Sequence, residues 1–165
     1  MSEKYYTQME AARKGIITEE MRAVARKEYR TEEEIRELVA KGQVAICANK
    51  RHKCLDPNGV GSMLRTKINV NLGVSKDCKD YEVEMEKVMA AVNMGAEAIM
   101  DLSSHGNTQP FRRKLTQECP AMIGTVPVYD SVIHYKRDLA TLTAKDFIDV
   151  VRLHAEDGVD FVTLH

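Results

Sequence analysis

The sequence has few cysteines, no long apolar run and no excess of charge of either sign. Its four cysteines are Cys47, Cys54, Cys78 and Cys119, and they form no C-x-x-C pair, the spacing typical of zinc ribbons and iron–sulfur loops. We therefore expect free thiols in a reducing compartment and no metal or cluster site in this chain. The 24 basic residues balance 25 acidic ones, which argues against a nucleic-acid or anionic-membrane partner.

Two further absences concern location and size. No apolar run approaches the roughly 20 residues that span a bilayer, and the first six residues lack the apolar core of a signal peptide. We therefore expect a cytoplasmic protein without a membrane partner.

A chain of 165 residues is long enough for a folded core, but a complete eight-stranded α/β barrel needs about 250 residues.

Helix signals dominate the first part of the chain. Thr7-x-x-Glu10 and Thr31-x-x-Glu34 are typical of capping boxes, and Thr18 precedes a third helical pattern. These patterns predict a small, mainly helical segment over residues 1–60, followed by a second domain over residues 61–165.

Two shorter stretches of the first segment have their own patterns. Residues 43–48 are apolar and are predicted to form a strand. Residues 49–53 (NKRHK) form a basic cluster before a loop rich in proline and glycine, which favours a solvated turn or an anion-binding loop.

Residues 61–165 contain four short apolar runs that each end near a polar or polarizable side chain. The markers Asn71, Met100, Tyr129 and His165 are 29, 29 and 36 residues apart, about the length of one strand, loop, helix and loop in an α/β barrel. The predicted strands are residues 67–73, 96–102, 122–129 and 160–165. We therefore expect an α/β fold, the N-terminal half of a (β/α)8 barrel.

Between these strands, apolar residues recur at helical spacing. The residues predicted on the inner faces of two helices are Tyr81, Met85, Val88, Met89 and Val92, and Phe147, Val150, Val151 and His154. Gly95 is expected to end the first helix, and Thr143-x-x-Asp146 to begin the second.

The carboxyl ends of barrel strands meet at one rim, where α/β barrels place their chemistry. The side chains expected there are Asn69, Asn71, Met100, Asp101, Tyr129 and His165. Amide, hydroxyl, imidazole and thioether groups suit a polar heterocycle that carries a sugar or phosphate. No Ser or Cys nucleophile stands beside a base at a recognisable spacing, so a simple hydrolase is not indicated.

Each of these residues also has a structural interpretation. Met100 lies within an apolar run and fits a core position. Asn69 and Asn71 alternate with apolar residues, so they project on one face and could belong to a buried polar network. His165 is the last residue and could be frayed.

Several long motifs resemble one enzyme family. They are residues 7–21 (TQMEAARKGIITEEM), 48–50 (ANK), 65–73 (RTKINVNLG), 98–103 (AIMDLS), 124–129 (GTVPVY) and 157–161 (DGVDF). The chain resembles the phosphomethylpyrimidine synthase family, radical S-adenosylmethionine lyases of thiamine biosynthesis, over nearly its whole length.

The resemblance implies a substrate and a set of contacts. The family rearranges aminoimidazole ribotide to hydroxymethylpyrimidine phosphate in an α/β barrel, and its substrate contacts match Asn71, Met100, Tyr129 and His165. Asn69 or Asn71 would contact the imidazole or ribose, Met100 the ring, and Tyr129 and His165 the ribose or phosphate. The resemblance assigns no catalytic residue in this chain.

The resemblance also implies cofactors, S-adenosylmethionine and a [4Fe-4S] cluster. The family's cluster motif C-x-x-C-x-x-x-x-C and its metal-binding histidines do not occur in this chain. We therefore expect the chain alone not to catalyse the rearrangement.

Two stretches differ from the thiamine enzymes, residues 103–112 (SSHGNTQPFR) and 129–131 (YDS), where those enzymes tend to carry Thr-Gly-Gly-Asp and Tyr-Gln. Both stretches look more like the paralogous 5-hydroxybenzimidazole synthases, which use the same ribotide for the lower ligand of cobalamin. A non-catalytic truncated homologue that binds ribotide or a partner is a further alternative.

The family ordinarily continues beyond the His that matches His165. A fragment of a longer protein, a gene broken at a stop codon, or a UGA codon read as selenocysteine would each explain this end. Because a half-barrel leaves strand edges open, we expect a homodimer or another homo-oligomer, or association with a separate second half.

Overall fold

The computed structural model describes residues 4–164. The chain divides into two compact units. The first unit contains residues 4–48 and 56–67, and the second contains residues 49–55 and 68–164. His165 lies outside the described residues, and so does its predicted role.

The first unit has three helices and a two-stranded antiparallel sheet. The elements are α1 (Gln8–Arg13), α2 (Glu19–Glu28), α3 (Glu32–Ala40), β1 (Val44–Ile46) and β2 (Gly59–Gly61). The predicted strand over residues 43–48 is confirmed as β1, whereas its partner β2 was predicted as loop. The buried residues include Met21, Val24, Ile35 and Val39, so the helices pack on one apolar core.

Threonine occupies the N-cap position of all three helices of the first unit, as predicted. Thr7, Thr18 and Thr31 each accept a backbone N–H from the first turn that follows. Only Thr31 forms the complete capping box, because Glu34 also accepts the Thr31 N–H. The Glu10 carboxylate instead accepts the N–H of Tyr6.

The second unit is built on a four-stranded parallel sheet with the order β3, β4, β5, β6. The strands are β3 (Asn69–Leu72), β4 (Ala98–Asp101), β5 (Met122–Thr125) and β6 (Phe161–Val162). The helices are α4 (Tyr81–Asn93), α5 (Gln109–Glu118), α6 (Pro127–Tyr135) and α7 (Ala144–Glu156), with a 3-10 turn at Leu139–Thr141. The predicted α/β class, with a parallel sheet, is confirmed.

The inner faces of two helices differ in part from the prediction. In α4, Met85 and Val88 are buried as expected, but Met89 is 37% exposed. Glu84 is buried instead, and its carboxylate accepts the Gly73 N–H at 3.0 Å. In α7, Val150 and His154 are buried, whereas Phe147 and Val151 are only partly buried.

The prediction for residues 122–129 is wrong beyond Thr125. The strand ends there, and Pro127 occupies the first turn of α6. Proline suits this position because its missing N–H would have no helical partner and its φ is already helical. Tyr129 therefore lies in the first turn of a helix and not at the end of a strand.

The turn at residues 49–53 is largely exposed, but one of its side chains is buried. The His52 side chain is fully buried in the second unit, and its Nδ1 lies 2.7 Å from Asp160 Oδ2. Its Nε2 lies 2.7 Å from the carbonyl oxygen of Cys119. His52 thus fixes this loop beside the start of β6, while its neighbours Lys50, Arg51 and Lys53 are exposed.

None of the helices within residues 4–164 combines the length and the apolar character that crossing a membrane would require.

Candidate functional site

Asn71 and Met100 are neighbours on one face of the parallel sheet. The register places Asn71 of β3 opposite Met100 of β4, and Met100 opposite Gly124 of β5. In-register side chains of adjacent strands point to the same face. Asn71 and Met100 therefore project together, one residue before the carboxyl ends of their strands.

Asn69 joins this pair on the same face. Its Nδ2 donates to Asn71 Oδ1 at 2.9 Å, and both asparagines are exposed. The intervening Val70 packs against the opposite, apolar side of the sheet. Because an amide side chain both donates and accepts hydrogen bonds, this exposed pair adds polar hydrogen-bonding groups to the face.

Tyr129 follows at the carboxyl edge of β5. Helix α6 begins two residues after that strand, so its first turn lies at this edge. The Tyr129 side chain is 42% exposed. The structure thus brings Asn69, Asn71 and Met100 together and puts Tyr129 at the same edge of the sheet.

Asp101, also predicted at this rim, projects to the other face. It is 4% exposed, and its Oδ1 accepts the Ser103 N–H at 2.9 Å and the Ser103 hydroxyl. Burial raises the pKa of this carboxyl above its ordinary value, although the hydrogen bonds from Ser103 oppose the shift. Asp101 therefore organises the loop after β4.

Phe161 is a further neighbour of this face, and the sequence pattern did not predict it there. Gly124 stands between Met100 and Phe161 in the register, and a Cβ atom at Gly124 would lie 2.3 Å from the Phe161 ring. The ring thus occupies the space that glycine leaves. A glycine inside a strand is a known sign of such a close approach.

Glu84 and Ser103 tie together the loops at the carboxyl ends of β3 and β4. The Ser103 hydroxyl accepts the Val74 N–H at 3.0 Å. Burial by itself would raise the pKa of Glu84, but hydrogen bonds from Lys87, Gly73 and Cys78 outweigh it and lower that pKa. An ionised carboxylate therefore supports the backbone beside Asn71.

A second set of polar side chains, here called the Asp130 cluster, lies among α5, α6 and α7. Its members are Thr108, Arg112, Thr125, Asp130, His154 and Asp157. Arg112 is 3% exposed and bridges two carboxylates, at 2.8 Å from Asp157 and 3.3 Å from Asp130. The cluster borders a cleft of about 570 Å³ that Gly106, Ile133 and Leu153 also line. Its sequence signal was weak, because its members are scattered over 50 residues of the chain.

The described residues do not provide ligands for a cluster or a metal ion. Within residues 4–164 no group of three or more His, Cys, Asp or Glu side chains is arranged to hold a metal. All four cysteines are free, and burial raises the pKa of Cys119 to about 11, so this thiol is a poor source of thiolate.

Fold and site together define an α/β protein with a parallel sheet that carries an amide pair on β3, a buried methionine opposite that pair on β4 and a tyrosine just beyond the carboxyl end of β5. A family model described as "Radical SAM ThiC family" matches residues 7–165, and the chain belongs to this family.

Curated relatives support the same assignment. The chain is 61% identical over 162 residues to a phosphomethylpyrimidine synthase of Alkaliphilus oremlandii, 58% identical to one of Clostridioides difficile and 56% identical to one of Clostridium botulinum. Each match covers 98% of this chain and lies in the N-terminal part of the relative. The chain spans 37% of the length of these relatives.

Proposed function

We propose that this chain is the N-terminal, substrate-binding part of a phosphomethylpyrimidine synthase. The whole protein would rearrange aminoimidazole ribotide to hydroxymethylpyrimidine phosphate, with S-adenosylmethionine and a [4Fe-4S] cluster held outside the described residues. The observation that carries this proposal is the juxtaposition of Asn71 and Met100 on adjacent strands, with Tyr129 at the same edge.

Each side chain has a role in this proposal. The amides of Asn69 and Asn71 would bind the imidazole or the ribose, since an amide both donates and accepts hydrogen bonds. Met100 would pack against the flat ring. Tyr129 and His165 would bind the ribose or the phosphate.

We further propose that the second unit is half of a (β/α)8 barrel. The support is its topology, in which four parallel strands neighbour each other in chain order and helices connect them. In a barrel the face that carries Asn71 and Met100 would line the interior.

Calorimetric titration of the chain with aminoimidazole ribotide tests the binding site. We expect saturable heat for the wild-type chain and its loss in Asn71→Ala and Tyr129→Ala, because each change removes a polar contact. The matched controls are Asn93→Ala, an exposed residue near the end of α4, and Tyr6→Ala, an exposed residue of the first unit. Absence of binding by the wild-type chain, or binding unaffected by both site changes, would contradict the proposal.

A second candidate is 5-hydroxybenzimidazole synthase, acting on the same ribotide. The observation that favours it is that Thr108, Arg112 and Asp130, which lie in the two stretches unlike the thiamine enzymes, contact one another. Contacting residues in one hydrogen-bond network have coupled energetic effects, so the two stretches act together. Product analysis by mass spectrometry, with the complete reconstituted protein, would distinguish a pyrimidine from a benzimidazole.

The remaining alternative is a non-catalytic homologue that binds ribotide or a partner. A partner chain that carries the cluster motif and restores turnover when mixed with this chain would exclude it. Ribotide binding without turnover in any such mixture would favour it.

A further inference from the structure

Asp130 directly follows Tyr129 in the first turn of α6 and is anchored from two other helices. Its Oδ1 accepts the Thr108 hydroxyl at 2.6 Å at the start of α5. Its Oδ2 lies 3.3 Å from Arg112 Nη1 of α5 and 3.0 Å from His154 Nε2 of α7. One carboxylate thus joins three helices beside the proposed site.

The groups that hold Asp130 are themselves fixed. Arg112 also donates to Asp157 from Nε and Nη2, at 3.0 and 2.8 Å. His154 Nδ1 lies 2.8 Å from the hydroxyl of Thr125, the last residue of β5. The anchor of Asp130 therefore extends back to the strand from which α6 departs.

A side-chain N-cap usually fixes the start of a helix, and the described residues provide none for α6. Its N-cap position is Val126, which cannot accept a backbone N–H. The Asp130 carboxylate is 13% exposed, and a negative charge in the first turn is favoured by the helix dipole. The contacts of Asp130 instead tie this first turn to side chains of α5 and α7 and to the residue that precedes α5.

Electrostatics agree with this geometry. Burial by itself would raise the pKa of Asp130, but hydrogen bonds with His154 and Thr108 and the charge of Arg112 lower it to about 2. The carboxylate is therefore ionised at neutral pH and keeps all three contacts.

We propose that Asp130 is a positioning residue for the ribotide site, which holds Tyr129 at the carboxyl edge of the sheet through its contacts with Thr108, Arg112 and His154. The inference rests on the proposed function, since it assigns a role to Tyr129 in that site. Asp130 itself acts through the first turn of α6.

A double-mutant cycle in the 165-residue chain tests this role by ribotide titration. We expect Asp130→Ala to weaken binding about tenfold, the effect of losing one well-placed hydrogen bond. In a Tyr129→Phe background, which removes only the hydroxyl, Asp130→Ala should weaken binding by less than about threefold, because effects that pass through one contact do not add. The control is Asp138→Ala, an exposed carboxylate after α6. Unchanged affinity in Asp130→Ala, or full additivity, would overturn the proposal.

Hydrogen–deuterium exchange without ligand separates this proposal from the function on which it rests. We expect faster exchange of the amides of residues 128–132 in Asp130→Ala than in wild type, and wild-type exchange in Asp138→Ala. Unchanged exchange would overturn the positioning role even if ribotide binds. If wild type binds no ribotide, the proposed site fails, and exchange still decides whether Asp130 fixes the turn. Asp130→Asn, which keeps the side-chain volume, replaces the alanine variant if circular dichroism shows the latter to be unfolded.

Discussion

At the scale of single residues, Gly73 is the position in the proposed site where the backbone conformation and the surrounding atoms most strictly require glycine. Its φ is +140°, a region that only glycine adopts readily. A Cβ atom there would lie 2.5 Å from the Ser103 nitrogen and 2.9 Å from the Leu102 carbonyl carbon. Because both are backbone atoms, no side-chain rotation relieves the overlap, and the loop after β4 would have to move.

We therefore expect Gly73→Ala to lower the free energy of unfolding by roughly 2–4 kcal/mol, the sum of backbone strain and overpacking. Urea denaturation followed by circular dichroism measures this change. The matched control is Gly95→Ala, since Gly95 also has a positive φ of +97° but a Cβ atom there would meet nothing within 4 Å. The control should lose only about 1 kcal/mol. Equal losses in the two variants would show that the contact with the loop after β4 is unimportant.

At the scale of elements, the loop of residues 49–55 is fixed to the rest of the second unit by buried hydrogen bonds. Asp160 accepts the Asn49 N–H at 2.8 Å and the Ile123 N–H at 2.7 Å, in addition to its contact with His52. The other ring nitrogen of His52, Nε2, lies 2.7 Å from the carbonyl oxygen of Cys119. The imidazole therefore links the loop to the segment before β5 and to the start of β6.

We expect His52→Ala to lower the free energy of unfolding by about 2–4 kcal/mol, because it leaves the Asp160 carboxylate and the Cys119 carbonyl with an unmade buried contact. Thermal and urea unfolding of the variant measure the loss. Lys53→Ala, the exposed neighbour in the same loop, should change stability by less than about 0.5 kcal/mol. A His52 variant as stable as wild type would be incompatible with this role of the imidazole.

At the scale of the whole molecule, the sheet of the second unit has two outer strands. Within residues 4–164, β3 pairs only with β4, and β6 pairs only with β5. Outer strands present backbone groups that can pair with another chain. A closed barrel would remove both edges.

We expect the chain to associate with itself, or with a chain that supplies the remaining strands. Size-exclusion chromatography with light scattering, at low micromolar concentration, measures the mass against the 18.6 kDa of one chain. A stable monomer over this concentration range would contradict the expectation of self-association. Addition of the separately produced C-terminal part of a relative would then test whether the chain associates with a chain that supplies the remaining strands.

Several features followed from the sequence because they depend on local periodicity and chemistry. The alternation of Asn69 and Asn71 with apolar residues placed both amides on one face of β3, and threonine caps marked the helix starts. The family was evident from long motifs in order. Each of these signals lies within a short stretch, so no knowledge of distant contacts was needed.

Only the tertiary structure decided the position of Tyr129 and the contacts of His52, Asp130 and Phe161. The apolar run of residues 122–129 is compatible with a strand throughout, but the strand ends at Thr125 and α6 begins at Pro127. His52 and Asp160 are 108 residues apart, so nothing local shows that a basic loop residue is buried. Buried polar partners are chosen by the three-dimensional proximity of distant segments, because an unpaired polar group in the interior is destabilising and the partner can come from any part of the chain.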